Sequence, residues 1–140
     1  MSERDLHRRE FLAQLGAGAA SALAFSGAGV LACGDGRDPL VGVLEGLFDD
    51  PEAARAIGAA WIAEQPAPPD AEALLAAITD GRVESARALA RSDPAALLAE
   101  LRARHRADFD SGRTAEVRGW LLSLTEAQVC GALIRAGGRG

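Results

Sequence analysis

Three times the chain places an aspartate directly before a proline, at Asp38-Pro39, Asp50-Pro51 and Asp93-Pro94, and each time an alanine- or leucine-rich run follows. An aspartate at N-cap accepts one of the orphan N–H groups of a helix's first turn. Proline at the first helical position has no N–H to lose, and its φ is already set for the helix. The three pairs predict helices over 39–48, 51–64 and 94–108. Asp70 caps a fourth, "AEALLAAITD", which Gly81 closes. The stretch "RVESARALARS", 82–92, sets Val83, Ala86, Leu89 and Ala90 at helical spacing and predicts a fifth. Between them, "PAPP" at 66–69 is a turn or spacer that no helix can cross.

The pattern changes in the last forty residues. "DFDSGRTAEVRGW", 108–120, holds Gly112 and Gly119 with Thr114 and Val117 between them, which predicts a loop or a short extended segment. Ser123-Leu124-Thr125-Glu126 reads as a capping box: the serine side chain accepts from the Glu126 N–H, and the glutamate returns to the Ser123 N–H. The helix that starts at 124 carries Ala127, Val129, Cys130, Leu133 and Ile134 on an apolar face and stops at Gly137-Gly138. No segment alternates at period two for long enough to predict a sheet. The expected fold is all-α, five or six short helices over 39–140.

Residues 1–32 read differently. Phe11 to Ala32 would make a poor structural helix, because it holds Gly16, Gly18, Gly27 and Gly29 and has no polar face; each interior glycine costs roughly 0.5–1 kcal/mol relative to alanine. As an export signal it fits part by part. A polar leader, "MSERDLHRRE", precedes a mildly apolar region, and Val30-Leu31-Ala32 ends on a small residue. Arg8 and Arg9, followed after one residue by Phe11 and Leu12, resemble the twin-arginine consensus, with these four as the recognition residues for the twin-arginine translocase. Permanent retention as an anchor is the other reading of the same segment. Cys33 then opens a polar tether, 33–38. Val30-Leu31-Ala32-Cys33-Gly34 resembles a bacterial lipobox, in which the cysteine is acylated and holds the protein to a membrane. An ordinary cleavage site, or a disulfide from Cys33 to Cys130 in an oxidising compartment, are the alternatives.

From Cys33 onward the chain has a length suited to one small domain. The formal net charge is −5, and residues 1–32 balance three arginines against three acids, so the domain carries it all. An acidic domain with no clustered basic run argues against nucleic acid. With no tyrosine, the core must come from Leu, Ile, Val and Ala, with Trp61, Trp120, Phe48 and Phe109.

The chemical inventory is thin. His105 and Asp108 fall three apart on one helical face, with Asp110 just beyond. A structural zinc site wants four ligands, so the expectation is a solvated, charge-rich helix end whose histidine suits the C-terminal dipole. Cys130, among Glu126, Ala127, Leu133 and Ile134, is expected to be a buried and inert thiol. No phosphate-binding glycine loop, cysteine pair at ligand spacing or haem attachment sequence is present, so no cofactor, metal or catalytic residue is expected. Around Val117, the arginines Arg113 and Arg118 and the following Trp120 have two readings. Trp120 packs as a staple on the last helix with the charges solvated, or Arg113, Arg118 and Trp120 contact a partner, since Trp and Arg dominate interface hot spots.

A twin-arginine leader before a short helical domain resembles the small, gamma-type subunits of bacterial membrane-associated flavin dehydrogenases, those that accompany sugar, sorbitol and gluconate dehydrogenases. Gly119, Trp120, Ser123 and Glu126 in "DFDSGRTAEVRGWLLSLTEAQVC" match the Gly-Trp-x-x-Ser-x-x-Glu ending of such proteins. The resemblance implies an exported, non-catalytic accessory subunit that escorts a large flavoprotein, itself without a signal, across the membrane in folded form. An autonomous lipid-anchored envelope protein is the other class of function compatible with the leader.

Overall fold

The computed structural model describes residues 36–137. Arg8, Arg9, Phe11, Leu12 and Cys33, with the export, lipidation and Cys33–Cys130 readings that rest on them, lie outside the described residues. Six helices and one hairpin follow in order: α1 (Pro39–Glu45), α2 (Pro51–Glu64), α3 (Ala71–Ile78), α4 (Val83–Ser92), α5 (Pro94–Asp110), β1 (Thr114–Val117), β2 (Trp120–Ser123) and α6 (Leu124–Gly137).

All three Asp-Pro pairs start helices as expected. Asp38 accepts from Leu40 N–H at 3.0 Å, Asp50 from Glu52 and Ala53 at 3.0 Å each, and Asp93 from Ala96 at 3.0 Å. Asp70 caps α3 through Ala73 N–H at 2.8 Å. The chain then reverses at Asp80 and Gly81, both with positive φ (52° and 77°), and the Gly81 N–H closes on Ala76 O at 2.8 Å. The first helix is shorter than expected. After Glu45 the bonds tighten to i→i−3 steps, Gly46 to Val43, Leu47 to Leu44 and Phe48 to Glu45, which carry the chain to Phe48 as turns.

At the centre lies α6. Thr125, Ala127 and the unbroken run Val129 to Leu133 are buried, so the helix is enclosed on most of its circumference rather than along the one face its apolar spacing predicts. Small residues make this enclosure possible. At Gly58 of α2, a Cβ would stand 2.1 Å from the carbonyl oxygen of Cys130; the two backbones meet with no room for a side chain. One turn on, the Trp61 ring covers Gly131, where a Cβ would come within 3.0 Å of it. Leu74, Leu75 and Ile78 of α3 and Leu40 and Leu44 of α1 complete the core.

Arg87 of α4 gathers three carboxylates: Asp38 at 2.7 Å, Glu72 at 2.8 Å and Glu84 at 2.6 Å. These acids raise its already high pKa further and tie α4 to the starts of α1 and α3. Among the described residues no helix is long and apolar enough to cross a membrane.

The hairpin departs from the expectation of no sheet. β1 and β2 pair antiparallel, with Thr114 opposite Ser123, Ala115 opposite Leu122, Glu116 opposite Leu121 and Val117 opposite Trp120. Arg118 (φ 50°) and Gly119 (φ 82°) make the two-residue turn, and positive φ at both centres is the primed geometry that matches strand twist. Four residues per strand are too few for a period-two pattern to stand out. The fold remains predominantly helical, as expected.

Candidate interaction surface

The hairpin is held by one buried carboxylate. Asp108, in the last turn of α5, is only 1% exposed. Its Oδ1 accepts from Arg113 Nε and Nη2 at 2.9 and 2.7 Å, and its Oδ2 accepts from the Thr125 N–H at 2.7 Å. Burial pushes this carboxyl up, but hydrogen bonding from Thr125 and the Arg113 ion pair outweigh it and hold the group below the usual carboxylate range. One side chain thus closes α5, fixes the start of β1 and satisfies an orphan N–H of α6. The backbone adds Arg113 N–H to Asp108 O at 2.8 Å and Leu124 N–H to Arg113 O at 2.9 Å. The expected solvated helix end is corrected here: Asp108 is a buried structural anion, and solvent reaches Asp110 instead.

Ser123 caps α6 as expected, its Oγ accepting from Glu126 N–H at 3.0 Å. The reciprocal half of the box is absent among the described residues. The Glu126 carboxylate turns toward His105, whose Nδ1 lies 3.8 Å from Glu126 Oε2 and 3.0 Å from Ser123 Oγ. Serine, histidine and glutamate meet, yet not as a nucleophile relay. Both partners approach the same ring nitrogen, whereas a relay needs the acid on the other one. Ser123 is also fully buried. Nor do His105 and Asp108 share a metal: Asp108 is taken by Arg113 and Thr125, and the described residues contain no group of three or more His, Cys, Asp or Glu that could hold an ion. Cys130 is a free, buried thiol; burial first, and Glu126 second, push its pKa up to about 12, which leaves it protonated and unreactive.

Around this anchor exposed charges, Arg106, Asp110, Arg113, Glu116 and Arg118, stand among a few exposed apolar side chains. The exposed large hydrophobic side chains of the described residues are Phe109 (43%), Trp120 (57%) and Leu121 (57%), in the corner where the end of α5 meets the hairpin but on different faces of it. Strand register explains the corner. Ala115, Val117, Trp120 and Leu122 share one face of the hairpin, where Val117 and Leu122 are buried. Trp120 occupies the turn end of that face and stays largely in solvent rather than lying as a staple under α6. Leu121 shares the opposite face with Ser123, and Ser123 meets His105, whose ring touches Phe109 edge-on with centroids 5.2 Å apart. Arg118 sits at the exposed apex of the turn. Of the three expected contact residues, Arg118 and Trp120 therefore stand outward, while Arg113 is tied to Asp108. The expectation that Phe109 and Trp120 belong to the core is corrected, since both are exposed, and Leu121 had no sequence reading; exposure of an apolar residue depends on register and helix end, not on composition.

Two cavities flank the corner's supporting helices. One, of about 420 Å³, lies between the end of α3, α4 and α5. Its rim holds Arg104, which donates to both Asp80 oxygens at 2.6 Å and to Ala77 O at 3.0 Å. The side-chain hydrogen bond from Arg104 lowers the Asp80 pKa. The other, of about 240 Å³, opens between the turns after α1, α5 and α6, with Leu47, Phe48, Leu101 and Val129 as apolar walls and Arg102, His105, Thr125 and Glu126 as polar ones. Arg102, His105 and Phe109 follow one another at spacings of three and four along α5, so this cavity and the exposed Phe109 share a helix face.

No protein-family model, curated protein or solved structure matches the chain.

Proposed function

We propose that the chain is a non-catalytic, exported accessory subunit that escorts a larger periplasmic oxidoreductase, a flavoprotein, through the twin-arginine route. The observation that supports the binding part of this reading is the exposure of Trp120 beside Arg118 at the turn of the hairpin, with Leu121 on the hairpin's other face and Phe109 at the end of α5. Trp with Arg supplies hot-spot chemistry. Trp120 and Arg118 are the contact residues in this reading, and Arg113 positions them through Asp108. Arg8, Arg9, Phe11 and Leu12 supply the export half, and a lipid on Cys33 or an uncleaved leader supplies membrane retention. The chain itself brings no cofactor, and nucleic acid is no partner.

The test is an affinity capture of the tagged protein from envelope fractions of its host, with mass spectrometry of the captured complex. A stoichiometric flavoprotein that stays in the cytoplasm when Arg8 and Arg9 are both replaced by lysine is the expected result. Recovery of the protein alone and monomeric overturns the escort reading. The alternative, an autonomous lipid-anchored envelope protein, is favoured by the Leu31-Ala32-Cys33-Gly34 sequence, and it requires a diacylglycerol mass on Cys33 with no partner.

A further inference from the structure

We draw no further inference here: the strongest candidate, the cavity of about 420 Å³ between the end of α3, α4 and α5, sets an apolar floor against the mutually paired charges of Arg104 and Asp80, and nothing in the structure shows what covers it.

Discussion

The contact of α2 with α6 and the junction of α5 with the hairpin solve the same problem, holding α6 in place, by opposite means. At the first, atoms are missing. Gly58 lets the backbone of α2 reach the carbonyl of Cys130, and Gly131 lets the Trp61 ring lie on α6. At the second, charges are added. Asp108 is buried against Arg113 and the Thr125 N–H. Close packing tolerates no added volume and does not depend on an ionised group. The charged junction tolerates volume but depends on ionisation, and it leaves apolar side chains outside because its interior is polar. The exposed Phe109, Trp120 and Leu121 belong to the elements of the charged junction and not to those of the packed contact.

The largest effect should come from adding a methyl group at the packed contact. Gly58→Ala puts a Cβ against a backbone carbonyl that cannot move without moving α6, so a loss of about 3 kcal/mol or more, or failure to fold, is expected in urea denaturation. Gly42→Ala sharpens the contrast. Nothing lies within 4 Å of its Cβ position in α1, so the same substitution should stabilise by about 0.5–1 kcal/mol.

Next in size is the charged junction. Asp108→Ala leaves the Thr125 N–H buried and unpaired and frees Arg113; because the Arg113 side chain is half-exposed, a loss of about 2 kcal/mol is expected. The pH dependence has a definite sign. The folded carboxyl is held below its ordinary value, so its contribution is present above the unfolded pKa of about 4 and is lost as pH falls through the lower folded value. Acid titration of stability should therefore be steeper below about pH 4 in the natural protein than in Asp108→Asn. Gly58→Ala should leave that slope unchanged.

Cys130 reports on the packed side at the other end of the scale. Its pKa is pushed up to about 12 from an unfolded value near 8.5, so the neutral thiol's contribution is complete below about pH 8.5 and is lost as pH rises toward 12. A disulfide reagent at pH 8 should label it only at the global unfolding rate. The smallest effect on stability belongs to the corner. Trp120→Ala should change it by less than about 1 kcal/mol while abolishing partner capture. A large destabilisation with capture intact would reverse the assignment of Trp120.

Much of the fold was legible because its signals are local. A cap, a proline and the following turn interact within four residues, so three Asp-Pro pairs and Asp70 located four helix starts, and Ser123 located a fifth. The corner was only partly legible. Trp120 and Arg118 stood out by residue type, but Arg113 reads as a free cation until Asp108, five residues earlier, is seen to be buried against it. The aspartate-glycine-arginine pattern of "DFDSGR" carries that pairing in outline, and nothing in it says that the carboxylate also reaches Thr125, seventeen residues on.

The sequence by itself determined where helices begin, that the interior would be aliphatic, and that Cys130 would be enclosed. Tertiary structure decided the rest. It placed α6 at the centre, because the value of Gly58 and Gly131 appears only when two helices cross at those positions. It made a hairpin of two four-residue strands whose alternation is too short to read, because the turn and Asp108 hold the strands in register. It also left Phe109, Trp120 and Leu121 in solvent, because burial is a property of what packs opposite a side chain, and no residue carries that information alone.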